Sequence, residues 1–461
     1  MTKGVYAAAF FPLVFCAEQA ANQMITTISG LSEDDICCIL SMAPTVDSVR
    51  TSILSKDWVP RWRWTLRINI SDSSLFTNSS NRLNRVLEFV TSAIRLIPTF
   101  SEFELLLYDS QYSAEQIRNW MLEVLQRDIV SVRIRYRGET VELPPGLFHC
   151  RTLRKLKLEV TSHFLSPAIG SFDNLKTLKL SRIDIISTEN PNNLQLQFPM
   201  LKKLCLDDCN WVNAASVAIR APALIKFRVR QFLVPPPGSV YLLIQILAPK
   251  LELFEFCGYL LWRMDLLQAL SVSTLNISHR GINGSPDYLS WNASCTQRIL
   301  SQCLMVRSLK LEGEVVEMMF KSGQVHQLRE LNLLKHLEFH SSCDPKSFLQ
   351  FLEVTPYIEH IRLTVCGWDT FDYDSLESLP SCVVYQLVEV EFLGFKGTAP
   401  QCLLASFFLE NGTVLRKMSG LYRQKREERH EERTLWEELR KQSFWEELKK
   451  KSTHVDFDVG E

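Results

Sequence analysis

The sequence lacks the short motifs that mark many phosphate-binding and hydrolytic enzymes. It contains neither a glycine-rich loop of the form G-x-G-x-x-G or G-x-x-x-x-G-K-S/T nor a G-x-S-x-G nucleophile elbow. His430 to Arg433 begins like a zinc-protease motif, but the second histidine that would complete it is missing. The histidines do not cluster at ligand spacing. We therefore expect no catalytic residue, no metal and no cofactor, and predict that the chain is not an enzyme.

The chain also lacks an excess of charge of one sign and any long hydrophobic run. Its 51 Lys and Arg are balanced by 52 Asp and Glu, so no overall basic field attracts nucleic acid. The apolar run from Val5 to Ala17 is shorter than the roughly 20 residues that a membrane helix needs. We predict neither a nucleic-acid nor a membrane partner.

Paired cysteine motifs are absent as well. The 13 cysteines are odd in number and none are spaced C-x-x-C, which favours reduced thiols in the nucleus or cytoplasm. Secretion remains an alternative, because Lys3 and the apolar run resemble a signal peptide. N-x-S/T sequons also begin at Asn69, Asn78, Asn276, Asn283, Asn292 and Asn411. An unnatural gene start over residues 1–23 would explain the run without targeting.

What the sequence does contain is a recurring phrase, L-x-x-L-x-L, or a looser version of it. Copies spaced at irregular intervals, about 21 to 27 residues apart in the first half, are typical of a leucine-rich-repeat solenoid, an α/β fold. They predict an irregular horseshoe over residues 65–385, with an inserted loop at Ser278 to Asn292 in the longest gap. The predicted copies begin at Leu153, Leu175, Leu201, Leu224, Leu251, Val272, Val306, Leu328, Ile358 and Leu387.

The segments around the repeats have other patterns. Residues 1–26 are an apolar segment, and residues 27–64 read as short helices separated at Pro44. Period-two alternation then predicts strands at Leu66 to Ile70, Phe103 to Leu107 and Val130 to Tyr136, with a helix at Asn81 to Ile97. Residues 421–461 are dense in charge and predict a solvated helical tail.

The segment at 27–64 resembles the F-box of plant proteins. The matching phrases are Ile28 to Asp34, Ile39 to Ser41, Pro44-Thr45, Val49 to Lys56, Trp58 and Trp62. The resemblance implies a small N-terminal helical domain that docks on a SKP-type adaptor. Its apolar positions, which would contact the adaptor or form the domain's own core, are Leu31, Ile36, Ile39, Leu40, Pro44, Val49, Ile53, Leu54 and Trp58.

Three departures from the F-box pattern stand out. Ser32 replaces a proline, Asp35 replaces leucine or isoleucine, and Met42-Ala43 replaces Phe-Leu. A carboxylate covered by an apolar partner is costly unless it is paired. We therefore expect Asp35 to weaken adaptor binding relative to a consensus F-box.

Two later segments extend the resemblance. Leu143 to Leu158 is similar to the phrase that opens the repeats of plant F-box proteins. Val388 to Gly397 and Phe408 to Met418, within residues 386–420, are similar to the FBD domain that ends many of them. The family implies a non-catalytic substrate receptor of an SCF-type E3 ubiquitin ligase, joined to a cullin through the adaptor. A repeat scaffold with a decayed F-box is the alternative.

Residues between the leucines of each repeat point to the concave face, where a target protein would bind. In the early repeats many of them are basic, and we predict that they hold an acidic or phosphorylated stretch of an unknown target, with Arg228 and Arg230 as the best anion ligands. The alternative is that they only keep an open sheet soluble. The predicted target-binding residues are Lys155, Lys157, Lys179, Lys203, Lys226, Arg228 and Arg230.

Overall fold

The computed structural model describes most of the chain from residue 31 onward. The described ranges are 31–75, 81–165, 172–186, 193–233, 242–259, 262–279, 286–313, 328–341, 345–365, 379–395, 397–421 and 454–458, with 319, 444, 446 and 448–450. The apolar segment and most of the charged tail lie outside these residues. Every structural statement below refers to the described residues.

Residues 31–64 form a helical segment, which we call the N-terminal helical segment. Helix α1 (Glu33–Met42) begins at Ser32, whose Oγ accepts from the Asp35 amide, and its first turn carries three acidic residues that favour the positive end of the helix. Helix α2 (Thr45–Arg50) follows directly after Pro44. Three short 3-10 helices complete the segment: Thr51–Ile53, Lys56–Trp58 and Arg61–Trp64.

Apart from a 3-10 helix at Asp72–Ser74, the remaining elements are mostly strands that follow one another as rows of the sheet. In the first half they are β1 (Arg67–Ser71), α3 (Arg82–Leu96), β2 (Glu102–Leu106), α4 (Ala114–Leu125), β3 (Ser131–Arg135), α5 (Gly146–His149), β4 (Lys155–Leu165), β5 (Thr177–Ile186), β6 (Leu194–Gln197), β7 (Lys203–Asp207), β8 (Asn210–Val212), β9 (Ser216–Arg220), β10 (Lys226–Gln231), β11 (Leu243–Leu247), β12 (Leu253–Gly258) and β13 (Arg263–Leu267). In the second half they are β14 (Thr274–His279), α6 (Pro286–Gln302), β15 (Ser308–Glu312), β16 (His336–Ser341), α7 (Pro345–Glu353), β17 (His360–Val365), α8 (Ser381–Tyr385), β18 (Glu389–Leu393), α9 (Ala399–Asn411), β19 (Lys417–Leu421) and β20 (Asp456–Asp458).

One parallel sheet runs through the molecule. Its order is β1-β2-β3-β4-β5-β7-β10-β12-β14-β15-β16-β17-β18-β19-β20, with β8 added beside β5. A second parallel sheet has the order β13-β11-β9-β6. Neighbouring rows of the main sheet pair in register, so equivalent residues of successive repeats stand beside each other. This is the stacking that defines a leucine-rich-repeat solenoid.

The core lies between the main sheet and an outer layer that changes along the chain. Over β1 to β3 the outer layer consists of helices α3 and α4, whose Val86 and Met121 belong to the core. From β5 onward it is the second sheet: Leu196 and Ile219 line the same small internal space as Leu178 and Leu204 of the main sheet. In the second half helices replace it, as when Phe339 of β16 packs on Phe348 of α7 with ring centroids 4.9 Å apart. The inner layer is constant, because alternate strand residues are buried in row after row.

The N-terminal helical segment is attached to the first strand of this sheet. Ser41 Oγ accepts a hydrogen bond from the Leu66 amide, and Thr45 Oγ1 accepts one from the Asn69 amide at 2.8 Å. Val46 and Val49 pack against the main core. The segment thus covers the open edge of β1.

The early strand and helix predictions are confirmed by β1, β2, β3 and α3, each within a residue or two. The repeat start at Leu328 is wrong. The strand there is β16, and its phrase begins at Leu334, which is fully buried. Both leucines are followed by apolar residues, so the spacing alone did not separate them.

The inserted loop at Ser278 to Asn292 is also wrong over much of its length. β14 continues to His279, and α6 begins at Pro286, a residue that suits the first turn of a helix. Polar residues in α6 made the helix look like a loop in the sequence. Among the elements that the sequence analysis missed are the second sheet and strand β20, which adds a row beside β19 within the tail.

Candidate binding surfaces

The structure divides the predicted adaptor-binding residues between a core and a surface. Ile36, Leu40 and Trp58 form a small buried cluster, on which Leu31 packs. Val49 is half-buried against the main core, and Pro44 is exposed. The remaining members, Ile39, Ile53 and Leu54, are exposed. The helical periodicity that placed Ile36, Ile39 and Leu40 on one face did not show that Ile39 lies at its edge.

The N-terminal helical segment displays several large apolar side chains to solvent. The most exposed is Ile53, at 85%. We call this set the apolar surface of the segment, and two of its members, Met42 and Val59, were not predicted. Its members are Ile39, Met42, Ile53, Leu54 and Val59. Several exposed apolar side chains on such a small unit are typical of a protein-binding surface.

Asp35 lies beside this surface, in the first turn of α1. Its side chain is exposed, and its Oδ2 accepts a hydrogen bond from Ser32 Oγ at 2.6 Å. Within the chain, then, the carboxylate is exposed and hydrogen-bonded. A cost arises only if a partner covers it.

The concave face is built from strand residues that alternate with the buried ones. In the first half these residues form a chain of ion pairs across the rows. Glu159 Oε1 lies 2.9 Å from Lys179 Nζ, and its Oε2 lies 2.6 Å from Arg135 Nε. Burial by itself would raise the pKa of Glu159, but these hydrogen bonds outweigh it and lower the pKa to about 2.

The best predicted anion ligands belong to the same chain of pairs. Arg228 Nε forms a short contact with Glu255, and Lys179 Nζ also lies 3.4 Å from Asp207 Oδ2. Arg230 Nε lies 4.0 Å from Asp207 Oδ1. An anionic ligand at these residues would have to displace a carboxylate of the protein.

The remaining predicted residues, all lysines, behave differently. No carboxylate of the described residues lies within ion-pair distance of them. Lys155, Lys203 and Lys226 are exposed at the first position of their strands, and Lys157 is half-buried at the third. The predicted target-binding residues thus fall into two groups, those paired with a carboxylate and those that are free. The free lysines are Lys155, Lys157, Lys203 and Lys226.

In the second half, too, the concave face is paired. Lys310 Nζ lies 2.6 Å from Glu338 Oε1, and Arg362 Nε lies 2.6 Å from Glu391 Oε2. His336 and His360 of neighbouring strands stack with ring centroids 4.7 Å apart. Burial lowers the pKa of His336, and the neighbouring His360 lowers it further, so the neutral form is favoured.

Thiols and metals give no further site in the described part of the chain. The described cysteines are all free, and burial raises the pKa of Cys209 and Cys303 to about 12. No group of metal-ligating side chains occurs there. Asn292, a sequon residue, is fully buried, which leaves no room for a glycan on the folded chain. The helices in these ranges include none with the length and apolar character of a membrane span.

The comparisons with known proteins agree with this geometry. A family model described as the leucine-rich-repeat domain of At1g61320/AtMIF1 matches residues 100–435. Two Arabidopsis thaliana relatives match over nearly the whole chain. FBD-associated F-box protein At5g56370 is 26% identical, with 85% of this chain and 89% of the relative covered. F-box/FBD/LRR-repeat protein At3g14710 is 26% identical, with 84% and 86% covered.

In-register parallel rows with a buried leucine ladder define a leucine-rich-repeat protein. The chain belongs to the At1g61320/AtMIF1 type of leucine-rich-repeat family and, with these relatives, to the plant F-box/FBD/LRR-repeat proteins.

Proposed function

We propose that the chain is the substrate-recognition subunit of an SCF-type E3 ubiquitin ligase. In this role the N-terminal helical segment is an F-box that binds a SKP-type adaptor and, through it, a cullin, while the solenoid binds a target protein. The observation that carries the proposal is the apolar surface of the segment, where Ile53 is 85% and Met42 79% exposed. The F-box names of the relatives support it.

The energetics of such an interface are favourable. Fully burying an aliphatic side chain of this size contributes about 1.5 to 3 kcal/mol. Ile53 and Leu54 are largely available for that burial, and Ile39 is partly available. Ile36, Leu40 and Trp58 form a buried cluster within the same segment, so the partner would meet a unit that is already folded.

Chemistry then belongs to other subunits of the ligase. We propose that this chain is a non-catalytic adaptor that acts in the nucleus or cytoplasm and contributes position only. The free, buried thiols support a reducing compartment, because deprotonation of such thiols requires strongly alkaline conditions.

Co-purification with a SKP-type adaptor tests the proposal. We expect the wild-type chain to capture the adaptor and the Ile53→Asp/Leu54→Asp variant to lose at least about 90% of that capture, because two charges would be desolvated at the contact. Leu270→Asp is the matched control, since Leu270 is 70% exposed on the solenoid. Equal loss in both variants, or no capture by the wild type, would favour a repeat scaffold with a decayed F-box.

Asp35 allows a gain-of-function test at the same surface. We expect Asp35→Leu to raise adaptor affinity several-fold, because a partner no longer covers a carboxylate. The isolated chain should lose about 0.3 to 1 kcal/mol of stability, because an acid in the first turn interacts with the helix dipole. Asp34→Leu is the control with the same helix effect. Unchanged affinity in Asp35→Leu would place Asp35 outside the contact.

A further inference from the structure

The N-terminal ends of four neighbouring strands, β4, β5, β7 and β10, carry a row of basic side chains. We call this row the basic rim. The residues immediately before three of the strands are Arg154, Lys176 and Lys202, and the first strand positions add three lysines. Its members are Arg154, Lys155, Lys176, Lys202, Lys203 and Lys226.

Backbone hydrogen bonds show that the members of the rim are neighbours. The Lys176 amide donates to the Arg154 carbonyl at 2.8 Å, and the Lys202 amide donates to the Lys176 carbonyl at 2.9 Å. The Lys226 amide donates in turn to Lys202 at 3.1 Å. Parallel strands are about 4.8 Å apart, so the rim covers about 15 Å of one edge of the sheet.

The rim is not neutralised by the protein itself. No carboxylate of the described residues lies within ion-pair distance of any of its members, and all except the half-buried Lys176 are exposed. Further along the same strands, at their third positions, Lys179 and Arg228 each have a carboxylate partner. Solubility is served by mixed charges, as where Lys335 in the second half pairs with Glu359. A run of like charges on adjacent rows instead costs repulsion, which an anionic partner would remove.

The side chains of the rim favour one kind of anion. Apart from Arg154 they are lysines, which act as point charges without a bidentate fork and are spread over four rows, so they suit single charges distributed along a chain. The nearby aromatic rings Phe172 and Phe198 are buried, so they offer no surface on which nucleic-acid bases could stack. An extended peptide presents side chains to one side about every 6.7 Å, so a segment lying along the rim of about 15 Å would place about three side chains against it.

We propose that the basic rim binds an extended, carboxylate-rich segment of a target protein. The proposal rests on the function proposed above and identifies the part of the solenoid where the target is held. It also moves the contact from the centre of the concave face, where Arg228 and Arg230 are engaged, to the edge.

Fluorescence anisotropy with a labelled twelve-residue peptide of alternating Glu and Ser tests this on the full-length chain. We expect binding at low salt that weakens as the salt concentration rises. Added salt shortens the distance over which charges attract each other, which is about 10 Å at 0.1 M. Arg154→Glu/Lys202→Glu should lower the affinity about tenfold or more. The matched control is Arg307→Glu/Arg416→Glu, two exposed residues that also stand immediately before strands, in the second half. It should lower the affinity less than about twofold, since its positions lie beyond the screening length from the rim.

Three outcomes would overturn the proposal: no binding by the wild type, equal loss in both variants, or binding only to a phosphoserine peptide or an oligonucleotide of the same charge. Thermal unfolding of each variant checks that it is folded. The assay contains no adaptor, so its outcome does not depend on adaptor capture. Loss of adaptor capture with intact peptide binding would reject the ligase role alone, and the reverse would reject the rim alone.

Discussion

The two halves of the solenoid share an inner sheet and differ in nearly everything outside it. Over β4 to β12 the outer layer contains a second parallel sheet, and the turns carry lysine and arginine. Over β14 to β19 the outer layer is helical. The turns there keep some basic residues, such as Arg307 and Arg416, but also expose several apolar side chains: Leu270, Met305, Leu333, Tyr357, Tyr385 and Val414.

This difference teaches that the repeat phrase specifies only the inner layer. The apolar positions of L-x-x-L-x-L are buried in both halves, whatever covers them. The residues between the phrases decide whether a strand or a helix returns the chain to the next row. The halves therefore have similar cores but different surfaces. Any difference in what the two halves bind must come from those surfaces.

Removing one buried phenyl ring from the core of each half should have the largest effect on stability. The two effects should be of similar size. Phe227, which packs on Phe254 with centroids 5.5 Å apart, and Phe339, which packs on Phe348, are both fully buried. We expect Phe227→Ala and Phe339→Ala each to lower the free energy of unfolding by about 3 to 5 kcal/mol in denaturant titrations. A cost below about 1 kcal/mol for either would show that the two cores are not equivalent.

Removing a charge from the ion pairs of the concave face should have the next largest effect on stability. Because the folded pKa of Glu159 is lowered from 4.5 to about 2, the ionised side chain stabilises the fold above pH 4.5. We expect Glu159→Gln to lower the free energy of unfolding at pH 7 by about 3 kcal/mol. The difference from wild type should shrink as the pH falls from 4.5 towards 2, since both proteins are then uncharged at this position.

Two controls sharpen this comparison. Glu338→Gln in the second half should cost less, because the Glu338 side chain is 29% exposed against 12% for Glu159. Glu142→Gln, at an exposed pair with Arg118, should change the stability by less than about 1 kcal/mol. A pH-independent loss in Glu159→Gln would contradict the assigned role of its charge.

A substitution where the two halves meet should have a smaller effect on stability. Asp265 of β13 is 5% exposed and contacts Arg298 of α6 through both carboxylate oxygens, joining the second sheet to the first helix of the other half. We expect Asp265→Asn to lower the free energy of unfolding by about 1.5 to 3 kcal/mol, because charge-assisted hydrogen bonds are lost. Arg263→Gln, a residue 3.8 Å from the same carboxylate, is the milder control.

Changing the exposed turns should have the smallest effect on stability. We expect Leu270→Ser and Tyr385→Ser to alter the free energy of unfolding by no more than about 0.5 kcal/mol, since both side chains are mostly in water. Light scattering at high protein concentration should show less self-association in these two variants than in Lys203→Ser. That control removes an exposed charge in place of an exposed apolar side chain. A larger loss of stability would mean that these side chains pack within the chain.

The sequence allowed most of the inner layer to be predicted, because burial of alternate residues leaves a pattern that depends on few neighbours. Leu153, Leu175 and Leu201 each begin a phrase whose strand starts two residues later. The second sheet was missed because its strands, such as Leu194–Gln197, are short and are followed at once by a new phrase. At Leu328 a second apolar residue six positions later gave the better register, and only packing selects between them.

The candidate surfaces were less predictable, for a physical reason. Sequence periodicity shows which residues share a face, but not whether another element covers that face. Ile36 and Ile39 look alike in the sequence, yet one is buried and the other is 44% exposed. Likewise, Lys179 and Lys203 occupy similar phrases, and only the register between rows shows that Glu159 and Asp207 reach the first of them.

The main sheet ends differently on its two sides. At β1 a threonine of the helical segment takes the hydrogen bond that a further strand would accept. At β20 Asp456 and Asp458 flank Phe457, so the last described row carries charged side chains, a feature that discourages pairing at a strand edge. Open strand edges are the usual starting point of fibre-like assembly, and both ends here discourage it. The features that complete the described row of repeats at each end therefore also hinder a second copy from extending it.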